Sequence, residues 1–391
     1  MTAASAVTTE TMHAVGDGRI FTGHERLMSL DVFRGATIAS MLLVNDPGTW
    51  NAVYPPLLHA PWHGWTFTDV IFPFFLWIAG VSITLSAAKR MSRGATRARL
   101  MLHACRRAII IFAIGEFLAG FPFFDFAHIR IPGVLQRIAI CYLIATVIYL
   151  TTRLRGQIVW TSGLLAAYWI LMKLVPVPGF GAGVLEKQGN FAQYIDNLFL
   201  SGHMYAATKT WDPEGIVSTL PAIATALFGV LTGQLLRARK TPAEKTAWIF
   251  VMGNALLFAG AVMCLWLPIN KSIWTSSYSV FMAGLAANTF GFCYWIVDVK
   301  GHRKWAVPFV IYGMNAITIF ALSGLLGKTA LLVKVTNPDG SQTSVWGYVF
   351  ERVFAPLASL MNASLMFAVT YVFLFFCLSW LMYRMKWFVK I

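Results

Sequence analysis

The sequence predicts an all-α, polytopic membrane protein of about ten membrane-crossing helices with both termini cytoplasmic. Three observations carry this. Of its 391 residues 58% are apolar and only 12% charged, a balance far from that of a soluble domain. Apolar stretches recur along the chain, each able to supply the roughly 20 helical residues a bilayer takes. The loops between them alternate between strongly and weakly basic, as the positive-inside rule requires.

Taken in order, residues 1–25 are polar and lack an apolar h-region, so they read as a disordered cytoplasmic lead-in with no cleaved signal peptide. Residues 26–391 read as one transmembrane domain. The first apolar stretch, 29–45, closes on Asn45. Pro55, Pro56 and Pro61 rule out a continuous helix through the connection to the second, 67–87, which carries Asp69 just inside its start. Further stretches lie at 104–121, 133–151, 157–175, 216–236, 247–267, 275–298, 305–325 and 362–384. The loops around 89–107, 153–155, 237–245 and 300–304, with the two chain ends, hold most of the 31 basic residues. An even number of spans puts these loops in the cytoplasm and the 46–66, 122–132, 176–215 and 267–274 segments on the opposite, periplasmic side. Residues 346–361 carry Glu351 and Arg352 centrally and break at Pro356, which fits a half-buried interfacial helix better than a span.

The net charge of +15 follows this topology, and with no basic low-complexity tail it argues against nucleic acid binding. Cys105, Cys141, Cys264, Cys293 and Cys377 sit in apolar runs with no CxxC pair, so they read as packing residues. No P-loop, GxSxG, HExxH or Cys/His metal motif occurs, and no metal is expected.

The chemistry concentrates between Asn45 and Gly80, where Asn45, His59, His63 and Asp69 fall at interface depth in an otherwise apolar chain. His59, with an amide and a carboxylate near it in sequence, favours catalysis over a structural role. His63 reads as an anchor of the second helix. Asp69 suits two roles equally, a first-turn carboxylate on the helix dipole or the group that orients an imidazole. Trp62 and Trp65 read as aromatic-belt residues. In I-R-I-P-G-V-L-Q-R, Arg130 precedes a helix while Gln136 and Arg137 lie inside it. An arginine there needs a partner, either a phosphate-bearing ligand or a salt bridge to Glu116 or Asp125. Lys271, beside Asn270, is a ligand contact or a snorkelling anchor. Asp31 and Arg34 are one turn apart and able to pair.

These residues stand in motifs that carry a resemblance. R-L-M-S-L-D-V-F-R-G, L-L-V-N-D-P-G, L-L-H-A-P-W-H-G-W-T-F-T-D, I-R-I-P-G-V-L-Q-R-I-A, W-D-P-E-G-I-V-S-T, P-I-N-K-S-I-W-T-S-S-Y and Y-G-M-N-A-I run from about residue 26 to 325. In this order they resemble the heparan-α-glucosaminide N-acetyltransferase family of transmembrane acyltransferases, in a bacterial member. The resemblance implies a multi-pass protein of the bacterial inner membrane that moves an acetyl group from cytosolic acetyl-CoA to an amino sugar or glycan on the far side. It carries the active-site histidine onto His59 and the neighbouring asparagine onto Asn45; Asp69, from its place in the sequence, is expected to join them as a catalytic residue. The acetyl-CoA contacts expected from the polar residues of these segments are Arg34, Arg130, Gln136, Arg137, Asn270, Lys271 and Trp274. The lysosomal enzyme of the family has an additional leading helix and lumenal domain, for which no counterpart is expected here. His63 stands where that enzyme's pattern has Asn, a departure that bears on acceptor specificity.

The residue types suit the reaction. Attack of an amine or hydroxyl on a thioester needs a base, which neutral imidazole supplies. An amide N–H such as that of Asn45 stabilises the oxyanion, typically by about 3 kcal/mol. A two-step route through acetyl-His59 is the alternative. The CoA phosphates call for cations along a path from the cytoplasm, which Arg34, Arg137 and the 89–107 loop are placed to provide. Expected partners are acetyl-CoA, the sugar acceptor and membrane lipid, with a homodimer left open as the assembly. The competing reading is an amino-sugar transporter, against which stands the lack of an internal repeat.

Overall fold

In a computed structural model, residues 27–337 and 340–389 are described; the lead-in expected over residues 1–25 lies outside them. Each of the ten predicted stretches is helical. They correspond to α1 (Met28–Asn45), α2 (Phe67–Met91), α3 (Arg97–Gly120), α4 (Val134–Thr151), α5 (Leu154–Leu174) and, after a short α6 (Phe191–Leu200), α7 (Thr219–Arg237). The second half comprises α8 (Pro242–Met263), α9 (Ser276–Cys293) with a π-helical extension over Tyr294–Val299, α10 (Val307–Met314) and α11 (Ala316–Leu332). A two-stranded hairpin, β1 (Lys334–Thr336) and β2 (Gln342–Ser344), leads into α12 (Val345–Val349) and the long α13 (Leu360–Arg384).

Six of the described helices are long and apolar enough to cross a membrane, or up to seven if a bent pair is one broken span. Those six are α2, α4, α7, α8, α9 with its extension, and α13. Three of the ten expected segments, α1, α3 and α5, fall short of that measure. The physical reason is composition: Asp31 and Arg34 lie inside α1, Arg97 to Arg107 inside α3, and Arg155 and Lys173 inside α5.

The single helix expected over 305–325 is instead α10 and α11, bent by 68° at Asn315. The Asn315 side chain explains the tolerance of that break. Its Nδ2 donates to the Trp387 carbonyl (3.0 Å) and its Oδ1 accepts from the Val389 N–H (3.0 Å), so it grips the main chain that follows α13. The 346–361 segment is α12 running into a π turn at Phe350–Phe354, packed on α13 and on the loop after α1 through Trp346 and Phe350. Glu351 and Arg352 are exposed.

The core is an α2–α7–α9 sandwich around Trp77 and Phe290 (rings 5.3 Å apart), with α1 and α4 closing its flanks. Helices approach this closely only where side chains vanish. A Cβ on Gly80 would lie 1.9 Å from the Ala226 carbonyl oxygen, and one on Gly229 would lie 2.0 Å from that of Trp77. Both atoms are backbone and have no room to yield. Gly80→Leu should therefore destabilise by about 3 kcal/mol or more, read as a lower Tm and an aggregated peak in size-exclusion chromatography. A variant that elutes and melts like the wild type would contradict this packing.

Candidate active site

The connection between α1 and α2 is irregular because its prolines forbid a helix, and it turns once as a 3-10 element at Pro55–Leu57. It ends in a capping box: Thr66 is the N-cap of α2 and Asp69 is N3. Asp69 is 1% exposed. Its Oδ2 accepts from the Thr66 N–H (3.0 Å) and the Ala60 N–H (3.0 Å), and the Thr66 hydroxyl lies 3.1 Å away. Its Oδ1 meets His59 Nδ1 at 2.6 Å. The two sequence-based readings of Asp69 thus hold together, one on each oxygen. The Nδ1–H tautomer of His59 satisfies this contact, which leaves Nε2 as the basic nitrogen. The imidazole is 52% exposed and lines a cavity.

That cavity encloses about 490 Å³ and runs through the bundle. At the basic end its walls are Arg34, Arg90, His103 and Arg107; apolar residues of α1, α2, α4 and α11 form the middle; Asn45, His59, Thr68, Glu214 and Lys271 close the far end. Arg34 is held by Asp31 Oδ1 (3.2 Å), Ser82 Oγ (3.2 Å) and the Gly313 carbonyl (3.4 Å), the intrahelical pairing anticipated from its spacing. Arg107 stacks over the Tyr142 ring at 5.0 Å, and its buried Nε has no hydrogen-bond partner among the described residues. Asn45 has no side-chain hydrogen bond among the described residues and is exposed to the same space. Val389 and Asn315 add the tail to the wall.

Of the other residues expected to hold acetyl-CoA, Lys271 also lines the cavity, whereas Arg130, Gln136, Arg137, Asn270 and Trp274 stand behind the wall. Arg130 binds Asp212 in fork fashion (Nε to Oδ2 2.8 Å, Nη2 to Oδ1 2.6 Å), pairs with Glu214 and stacks on Tyr205. Burial alone would weaken its charge, but the two carboxylates outweigh it and hold the guanidinium above its ordinary value. Burial likewise pushes Glu214 up, yet Lys271, Arg130 and Arg137 together hold its carboxyl below the usual range. Nearby Asp196 goes the other way: burial, only partly offset by the Ile216 and Asp212 N–H groups, raises it to about 6.

Arg137 is fully buried, donates to the Gly215 carbonyl (3.1 Å) and to Ser218 Oγ, and lies 5.2 Å over the Trp274 ring. Gln136 takes the Glu116 contact (3.1 Å), and His128 takes Asp125 (2.9 Å). Asn270 accepts from the Ile273 N–H (3.1 Å) and sits 3.3 Å from His63 Nδ1, while Gly64 N–H donates to the Ile269 carbonyl (2.7 Å). His63 is thereby the stitch between the 59–66 stretch and the 268–275 turn. Trp274 occupies the left-handed region (φ 49°) and donates to Thr225 Oγ1 (3.2 Å). Sequence reasoning passed over Glu214 as a site residue. Its signal was present, two acids in W-D-P-E-G within an apolar chain poor in them.

The profile of the family described as heparan-alpha-glucosaminide N-acetyltransferase, catalytic, matches residues 26–262. The heparan-alpha-glucosaminide N-acetyltransferase of Homo sapiens is 30% identical over 350 residues, covering 75% of this chain and 52% of its own length. That of Mus musculus is 28% identical over 350 residues, covering 75% and 53%. The chain spans about half the length of the curated relatives it matches. The profile match contains His59, Asp69, Arg130 and Glu214 and ends before Asn270.

Arg130 is the testable strut. Arg130→Ala leaves two buried carboxylates without their partner, which should cost about 3–5 kcal/mol and open the 201–218 loop to limited proteolysis. The wild type keeps the Glu214 contribution above its ordinary value of 4.5 and loses it as pH falls below that. Arg130→Ala should therefore be most destabilised near neutral pH and converge with the wild type in acid. Equal melting of the two at neutral pH would overturn the strut.

Proposed function

Because the chain belongs to the heparan-alpha-glucosaminide N-acetyltransferase family, we propose that it is a transmembrane acyltransferase. In this reading it takes acetyl-CoA at the basic, cytoplasmic end and acetylates the amine of an amino sugar or glycan at the far, periplasmic end. The expected ten spans of a multi-pass inner-membrane protein, with both ends cytoplasmic, suit this reading. The observation that carries it is the single cavity whose walls change from arginines at one end to the His59–Asp69 pair at the other.

The residues present fit acetyl-CoA. Arg90 and Arg107 offer cationic partners to phosphates and His103 a ring N–H, and the Nε of Arg107 is a buried donor without an acceptor among the described residues. The apolar middle suits a pantetheine arm. When bound, acetyl-CoA supplies an acyl carbon activated by its thioester. His59 Nε2 removes a proton from the acceptor nitrogen as that nitrogen attacks, and the imidazolium returns the proton to the departing thiolate. Asp69, locked by three contacts besides the histidine, keeps Nδ1–H in place and stabilises the imidazolium. The Asn45 amide donates to the oxyanion. Lys271 and Glu214, opposite in charge at the same end, form the surface on which a polar acceptor rests. Arg130, Arg137, Asn270 and Trp274 hold that surface without touching substrate.

The test is reconstitution. In proteoliposomes with acetyl-CoA inside and glucosamine outside, the wild type should release free CoA inside and accumulate acetylated sugar outside without sugar uptake. His59→Ala should abolish this, Asp69→Asn should lower kcat roughly 10³–10⁴-fold, and Asn45→Ala about 10²–10³-fold. Wild-type turnover by His59→Ala would remove it from the mechanism. Sugar accumulating inside without acetyl-CoA would identify a carrier.

A further inference from the structure

A second cavity of about 260 Å³ shares no lining residue with the first. It lies at the basic end, between the end of α2, the start of α3, the α4–α5 turn and α7. Its wall includes Arg97, Arg153, Tyr149, Thr152, Gln157 and Gln234. Three features mark it as built to receive an anion. Neither Arg97 nor Arg153 has a carboxylate within ion-pair distance among the described residues. The floor is polar and fixed: Gln157, 1% exposed, donates to the Thr152 carbonyl (3.3 Å) and accepts from Gln234 Nε2 (3.3 Å). Arg237 braces the wall from behind through the Tyr149 hydroxyl (3.1 Å). In addition α5 begins at Leu154 with no side chain among the described residues capping its first N–H groups, next to Arg153.

Two arginines, an uncapped helix start and a satisfied amide floor match the needs of a phosphate oxygen set. The surroundings separate the possible sources. Leu154, Ile158, Val159 and Trp160 of α5 are all large, apolar and exposed, within two turns of the cavity. Such a face suits acyl chains, and basic pockets between helices on the cytoplasmic side accept lipid headgroups. We propose that this cavity is a phosphate-binding site and that its occupant is the headgroup of an anionic phospholipid lying along α5.

The full chain, purified and exchanged into a neutral detergent, is examined by native mass spectrometry after incubation with phosphatidylglycerol and by thermal unfolding with inorganic phosphate. The wild type should retain one phosphatidylglycerol through the exchange and show little response to phosphate. Arg97→Gln/Arg153→Gln should weaken lipid retention at least tenfold. Arg239→Gln/Lys304→Gln, which removes as much charge from exposed positions lining neither cavity, should retain the lipid. Arg153→Gln alone serves if the double variant is poorly produced. A saturable rise in Tm with inorganic phosphate, lost in the same variant, would keep the phosphate site but overturn its assignment to lipid. Equal retention by both double variants, or no binding of either probe by the wild type, would overturn the site.

Discussion

A carboxylate taken out of water needs donors for both its oxygens, and Asp69 shows how one residue organises a site under that demand. The backbone N–H of Thr66, the N–H of Ala60 and the Thr66 hydroxyl converge on one oxygen; the other is left for His59. The same contacts that start α2 therefore fix the imidazole. Tyr278 adds α9 to the arrangement by donating to the Asp69 carbonyl. The helix cap and the candidate base cannot be separated, because they are two sides of one carboxylate.

The same demand shapes the far end of the cavity. Three acids and Arg137 are buried within the 130–137 and 196–214 segments, with Arg130 half-buried beside them, and none of the buried groups could remain there ionised alone. Arg130 answers Asp212 and Glu214, and Arg137 answers main-chain oxygen and an indole face. Glu214 is left aimed at the cavity with Lys271 opposite. Trp274 is held in a conformation unusual for a side chain of its size, between the Arg137 guanidinium and the Phe72 ring. Strain of this kind persists only where surrounding contacts impose it.

At the basic end the constraint is the backbone itself. The break between α10 and α11 frees main-chain groups at the depth of Arg34, a place tolerable because it lines a cavity and is buried in protein. Asn315 satisfies both its own amide and the tail after α13 there. The cavity thus has arginine side chains, helix-end carbonyls and the tail at one end and the histidine pair at the other, with apolar walls between.

The sequence by itself determined the helices, because apolar runs of membrane length have no other way to satisfy their backbone. It also singled out His59, Asn45 and Asp69, since polar groups so close together in an apolar chain demand a reason. It left the roles of Arg130, Gln136 and Arg137 open, because a charge inside a helix announces only that it needs a partner. Tertiary structure alone named those partners: Gln136 to Glu116, Arg130 to Asp212 and Glu214, Arg137 to Gly215, Ser218 and Trp274. It alone bent the 305–325 helix at Asn315, where no proline marked the break in the sequence. It alone joined Glu214 and Lys271, far apart in the chain, into one wall with His59. Local sequence governs which backbone conformation is cheap, while contacts between distant segments depend on how the helices pack, and no stretch of chain carries that information alone.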